Sequence, residues 1–277
     1  MNTTMNTCDT NENIIKEKRK RHPYKKYQVI AIVQARMNST RLPGKVLMSL
    51  GGKPTIQHIV ERLRRSEEID CVVVATTDTW NDKKLVEFCA NKLHCGVFMG
   101  SEEDVLDRTF QASRMTKKDN TIIVDITADC PLVDPVMVDM LVQCLISYNL
   151  DYCSNVMTRT WPDGFDIQVY KKSIYEKIHK RVSDKTHRCH TGWNIVNYSS
   201  LIFPPGLKMA NVPAPAEYCF PEWGLTLDTR EDYQVLDKIF SHFKGNDFSA
   251  TDVMAYIFEN KDVLDNKDIQ RNIPGRG

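Results

Sequence analysis

Val29 to Lys45 reads V-I-A-I-V-Q-A-R-M-N-S-T-R-L-P-G-K, and this stretch decides the architecture. Its first five residues are apolar and mostly β-branched, the pattern of a strand buried on both faces of a parallel sheet. A polar loop follows at once. It carries Arg36, Arg41 and Lys45, with Asn38, Ser39 and Thr40 between them, and Pro43-Gly44 marks its turn. Cations crowded into one loop repel one another unless an anion sits among them, and backbone N–H groups help to hold such an anion. Taken alone, a basic loop is an ordinary solvated surface. The strand directly before it changes the balance, because open α/β sheets bind ligands at the carboxyl ends of their strands. The stretch therefore predicts a polyphosphate site.

Working outward, the next apolar runs are Cys71 to Ala75, ending in T-T-D at Thr76 to Asp78, and the short Val97 to Met99, leading into Gly100-Ser101. Thr121 to Ile126 follows and ends in T-A-D-C-P-L-V-D-P, Thr127 to Pro135. Helical spacing separates these runs. Ile56, Ile59, Val60 and Leu63 make one apolar stripe after Pro54, which suits a first turn. Asp82 to His94, Glu102 to Met115 and Val136 to Tyr148 supply three further helices. Alternating strands and helices predict an α/β fold: a mostly parallel sheet with helices on both faces, a Rossmann-like three-layer arrangement.

Beyond Asp151 the alternation weakens. Asp151 to Ser154 and Phe165 to Tyr170 read as strands around the turn-rich W-P-D-G, and Ser173 to Val182 as a helix. Leu201 to Pro221 is proline-rich and poor in charge, which suits extended arms and edge strands. Leu225-Thr226-Leu227 reads as a return to the main sheet, and Asp228 to Asp232 open a helix through Val235, Leu236 and Phe240. Ala250 to Phe258 and Asp262 to Gln270 close the chain as a helical pair.

The 277 residues suffice for one large α/β domain, and 42% hydrophobic content supports a real core. Residues 1–27 read as a polar, then basic tail before a single domain over 28–277. A net charge of +1 gives no reason to expect nucleic-acid binding. No apolar run reaches membrane-spanning length, and no leader is visible at the N-terminus. The nine cysteines are scattered, form no C-x-x-C and mostly fall in apolar segments. They read as small hydrophobes in a reducing, cytoplasmic compartment rather than as a zinc site.

The string Q-A-R-M-N-S-T-R-L-P-G-K-V-L resembles the signature of the cytidylyltransferases that make CMP-activated acidic sugars, the acylneuraminate and KDO cytidylyltransferases, and above all their SpsF-type branch. It is neither a P-loop nor a dinucleotide fingerprint. The resemblance runs from about Ile30 to Leu236. It implies a nucleotidyltransferase fold with a small extended insertion, about residues 155–222, for the acceptor pocket and a homodimer contact. It implies that Gln34, Ala35, Arg36, Ser39, Arg41 and Lys45 hold the triphosphate of CTP, Arg36 and Lys45 acting catalytically with Asp129. It implies that Thr76, Asp78, Gly100, Ser101, Asp104 and Arg108 line the cytosine and ribose pocket. By spacing alone, Asp104 and Arg108 are an i,i+4 helix pair.

The family's metal aspartates match Asp129 in A-D-C-P and Asp228 in L-D-T-R-E-D. Two carboxylates suit Mg²⁺, which keeps several waters and takes few protein ligands; a helix cap is the competing role, and Asp134 reads as one. For the acceptor, expected to be a sugar acid, P-D-G-F-D-I-Q-V-Y places Asp166 and Gln168, and H-R-C-H-T places Arg188 and His190. Gln168 stands where the family has an acid, and Cys189 where it has a Glu. Another nucleotide, a phosphorylated alcohol acceptor, or a nucleotide-binding protein without activity are the competing readings.

Overall fold

The structure is a computed structural model that describes residues 26–116, 120–189 and 207–266. The basic tail, His190 and part of the proline-rich stretch lie outside them. The core is a seven-stranded sheet. In chain order its strands are β1 (Gln28–Gln34), β4 (Cys71–Thr77), β5 (Gly96–Gly100), β6 (Thr121–Thr127), β7 (Tyr152–Ser154), β8 (Gln168–Lys171) and β9 (Met209–Asn211); β2 (Ser49–Leu50) and β3 (Lys53–Pro54) form a separate hairpin. The spatial order is β5-β4-β1-β6-β8-β7-β9. β1 lies between β4 and β6 and is parallel to both, with Ile32 level with Val73 and Asp125. β8 runs antiparallel to β6 and to β7, and β9 is parallel to β7.

The apolar run of β1 is continuous because helices cover both its faces. Val29, Ala31 and Val33 point into one cluster, with α1 (Thr55–Arg65), α2 (Lys83–Asn91), α4 (Pro135–Ser147), α7 (Arg230–Phe243) and α8 (Ala250–Glu259). Ile30 and Ile32 point into the other, with α3 (Val105–Ser113) and α5 (Lys172–Arg181). The mostly parallel, three-layer expectation holds.

One strand expectation fails. Leu225-Thr226-Leu227 is buried but is not a strand of the sheet. Its N–H groups bond to loop carbonyls instead, Leu225 to Asp163 at 2.6 Å and Leu227 to Asp129 at 2.8 Å. Proximity to Gly164 makes this docking possible: φ there is +123°, and a Cβ would lie 2.5 Å from the Leu225 carbonyl. Cys89, Cys95, Cys130, Cys144, Cys153, Cys189 and Cys219 are free thiols.

Asp134 is structural, as expected. It caps α4 by accepting the Val136 and Met137 N–H groups, and it also takes the Ala250 N–H. Beside it, Arg62 is fully buried and donates to the carbonyls of Val133 at 2.7 Å, Asn246 at 3.0 Å and Phe248 at 2.9 Å. That side chain bolts the turn after β6 to the C-terminal helices, so the segment carrying Asp129 is anchored from below.

Candidate active site

At the carboxyl ends of β1 and β6 lies a cavity of about 380 Å³. Among the expected residues, Gln34, Ala35, Arg36, Ser39, Arg41, Lys45, Arg108, Asp129 and Asp228 line it. Two short strand ends and one loop supply most of them. β1 runs straight into the loop, which is closed on itself because the Met37 carbonyl accepts the N–H groups of Ser39 at 3.0 Å and Gly44 at 2.8 Å. Gly44, at φ +74°, starts the one-turn helix Lys45–Leu47 and turns Lys45 inward.

Lys45 is the hinge of the charge arrangement. Its Nζ lies 3.1 Å from Asp129 Oδ2 and 2.9 Å from Asp228 Oδ1, and Arg41 Nη2 reaches the same Asp228 oxygen at 2.9 Å. Burial on its own would pull the Lys45 ammonium down; the two neighbouring carboxylates outweigh it and hold the group above its ordinary range. Burial likewise pushes the Asp129 carboxyl up, but Lys45 and a hydrogen bond from Thr127 leave it below the usual value. Asp129 is thus ionised at neutral pH. Asp228 is not a helix cap: Thr229 caps α7, in a reciprocal pair with Asp232.

Arg108 sits deeper, 3% exposed, with Nη1 donating to the Ser101 carbonyl at 2.7 Å. Its Nε has no hydrogen-bond partner. Burial, and then the charge of Arg36, lower its hold on its proton. Two guanidiniums facing one cavity, one with a buried unfilled donor, call for an anion between them. The Asp104–Arg108 helix pair does not form. Asp104 caps α3 through the Asp107 N–H and pairs with Arg188 Nε at 2.7 Å. Arg188 Nη1 also donates to the carbonyls of His179 at 3.1 Å and Val182 at 2.6 Å. The neighbouring Cys189 reaches the cavity wall.

Thr76, Asp78, Gly100, Ser101 and Asp104 do not line the cavity. Thr76 is buried and donates to Asp82, and Asp78 N–H bonds the Gly100 carbonyl at 3.0 Å, joining the ends of β4 and β5. Next to them Trp80 is 80% exposed, with the Lys83 ammonium 4.7 Å from its ring centre.

On the other side, Asp166 is held bidentately by Arg159, at 2.7 and 2.6 Å, and Asp163 approaches the same guanidinium at 3.3 Å. Gln168 accepts the Tyr152 hydroxyl at 2.8 Å. Neither lines the cavity. Arg159 escaped the sequence reading, and its only signal is a cation amid the acids of a turn-rich segment.

The cavity thus joins three things: a self-closed cationic loop after a first parallel strand, a buried Arg108, and two aspartates from distant segments. The Cytidylyltransferase family model matches residues 30–162. The chain is also 31% identical to the spore coat polysaccharide biosynthesis protein SpsF of Bacillus subtilis, over 85% of this chain and 96% of that protein. This chain belongs to the cytidylyltransferase family. A solved cytidylyltransferase from Leptospira borgpetersenii is 33% identical, with a TM-score of 0.78, over 88% of this chain and 100% of that one. A 3-deoxy-manno-octulosonate cytidylyltransferase of Anaeromyxobacter sp. strain Fw109-5 is 30% identical over 43% of this chain and 47% of its own length. As a CTP-dependent cytidylyltransferase, the protein has the cationic loop its substrate's triphosphate requires.

The donor set also fits Mg²⁺. Asp129 and Asp228 converge on one ammonium, and both offer hard oxygens. Among the described residues no group of three or more such side chains gathers into a cage. That composition suits an ion whose remaining ligands are phosphate oxygens and water.

Proposed function

We propose that this cytidylyltransferase moves CMP from CTP to an acidic sugar, with Asp129 and Asp228 holding Mg²⁺, for surface polysaccharide or glycoconjugate synthesis. The observation that carries the reading is the convergence of Asp129, Asp228 and Lys45 at one edge of the Arg36–Arg41–Arg108 cavity. The acceptor's oxygen attacks the α-phosphorus of CTP, the bond to the β-phosphate breaks, and pyrophosphate leaves. Arg36, Arg41 and Lys45 oppose the charge that builds on the leaving pyrophosphate, in a site partly shielded from water. A bound Mg²⁺ would add charge neutralisation at the phosphates. Thr76, Asp78 and the Gly100–Arg108 segment border the cytosine pocket, and Asp166 and Gln168 face the acceptor.

Two further parts belong to this proposal. The enzyme works in the cytoplasm, where CTP is available, and it works as a homodimer built through the proline-rich stretch Leu201 to Pro221, which contains β9. β9 is the last strand of its sheet, and edge strands invite pairing. Among the described residues no helix is long and apolar enough to cross a membrane.

The deciding experiment incubates the protein with each NTP, Mg²⁺ and a panel of sugar acids, neutral sugars and phosphorylated alcohols, and follows pyrophosphate. CTP with a sugar acid should give release. Equal turnover with UTP refutes the cytosine pocket, and release only with a phosphorylated alcohol refutes the acceptor class.

A further inference from the structure

The one-turn helix Trp80–Asp82 takes no part in the chemistry above, yet it holds a buried acidic side chain that bonds the neck of the cationic loop. Asp82 is 1% exposed. Arg108 acts on it electrostatically, and its hydrogen bonds all come from main-chain N–H groups and threonine hydroxyls. Its Oδ1 accepts the Met37 N–H at 2.7 Å. Its Oδ2 accepts the Thr77 N–H at 2.9 Å and the hydroxyls of Thr76 at 2.7 Å and Thr77 at 2.5 Å. An ionised carboxylate accepts in about four directions, and this one is filled.

The two oxygens face different parts of the nucleotide site. Oδ1 holds Met37, the neck of the cationic loop, whose carbonyl closes that loop through Ser39 and Gly44. Oδ2 holds the end of β4. A second stitch runs alongside: Asn81 Nδ2 donates to Asn38 Oδ1 at 2.9 Å.

We infer that Asp82 is a positioning residue that sets the distance between the phosphate-holding loop and the β4 end beside which the base is read. The inference rests on the nucleotide reading above. A ligand spanning two subsites gains from both only when their spacing is already correct. An amide cannot replace this carboxylate on both sides. The threonine hydroxyls can turn to accept, but the Met37 and Thr77 N–H groups cannot. Asp82→Asn therefore leaves one of these main-chain donors facing an N–H and frees the loop from the strand.

The test titrates wild type and Asp82→Asn calorimetrically with inorganic tripolyphosphate and with CTP, each with Mg²⁺, beside a melting curve. Tripolyphosphate touches only the loop side; CTP spans both. The variant should bind CTP at least about tenfold more weakly while tripolyphosphate stays within about threefold. Equal losses for both ligands, or no loss for either, overturn the inference. If Asp82→Asn does not fold, Asn81→Ala decides: a loss of roughly two- to fourfold confined to CTP supports the inference, and anything else overturns it. Wild type binding CTP no tighter than UTP or tripolyphosphate breaks the nucleotide reading itself, without reference to any variant, and the inference falls with it.

Discussion

The two sides of this site are built in opposite ways. The proposed nucleotide side stands on the ends of parallel strands, β1 and β6, and its cations meet carboxylates that another ion can share. The proposed acceptor side lies beside antiparallel strands, β7 and β8, and its charged groups are already matched to one another, Arg159 to Asp166 and Asp163. A side built to gather outside charge stays under-paired, as Arg108 Nε shows. A side built to hold shape is internally satisfied. The contrast implies that charge changes on the first side strike turnover, whereas those on the second strike acceptor fit and stability.

The largest expected effect tests the first half of that contrast. Asp129→Asn and Asp228→Asn should each lower turnover about a hundredfold, roughly 3 kcal/mol of lost transition-state stabilisation. Folding should survive, because both side chains sit at the cavity edge. Pyrophosphate release across a Mg²⁺ titration, beside a melting curve, measures it. Near-normal turnover at low Mg²⁺ would remove that residue from the ligand set.

Gly164→Ala probes the joint between the sides. The added Cβ meets the Leu225 backbone at 2.5 Å at a φ of +123°. Destabilisation of about 2–3 kcal/mol should follow, with turnover falling because the segment leading to Asp228 is displaced. Denaturant unfolding gives the first number. An unchanged midpoint would mean the docking is loose.

Arg159→Lys sharpens the other half. Lysine cannot reproduce a bidentate fork. The acceptor KM should rise about tenfold, while the KM for CTP stays within about twofold. A matching rise for CTP would mean that the two sides are not separable.

The smallest effect concerns pH. Asp129 is held below its unfolded value, so its contribution is fully present above about pH 4 and is lost as pH falls through the lowered pKa. Lys45 is held above its own, so its contribution persists below about pH 10 and is lost as pH rises through the raised pKa. The difference in melting temperature between wild type and Lys45→Met should therefore stay constant from about pH 6 to 9 and shrink below about pH 4. A slope across the neutral range would mean that another group controls the bridge.

Much of the nucleotide side was legible in the sequence because its signals are local. A β-branched run followed by clustered cations needs no knowledge of distant contacts. Asp129 was legible from the same logic, since an acid just after a buried run falls at the sheet's edge. The Leu225–Leu227 error shows the limit of that logic: apolar residues guarantee burial, but which carbonyls take their N–H groups depends on Gly164 and the Asp163 turn. Arg62 was hidden on an apolar helical stripe, where only the spatial convergence of Val133, Asn246 and Phe248 carbonyls explains a charge. Asp82 looked like an ordinary acid at a helix start. The Arg188–Asp104 ion pair joins two segments 84 residues apart and has no local signal. His190 lies outside the described residues.

Trp80 gives the molecule a built-in optical reporter. Its indole stands in solvent one residue from Asn81, whose side chain bonds the loop at Asn38, and it is shadowed by the Lys83 ammonium. A nearby ammonium and the local polarity both influence indole emission. Closure of the loop around a nucleotide should therefore change the brightness of this residue, and rapid mixing would time that closure without any attached dye. A Trp80→Phe control isolates its signal from the other tryptophans.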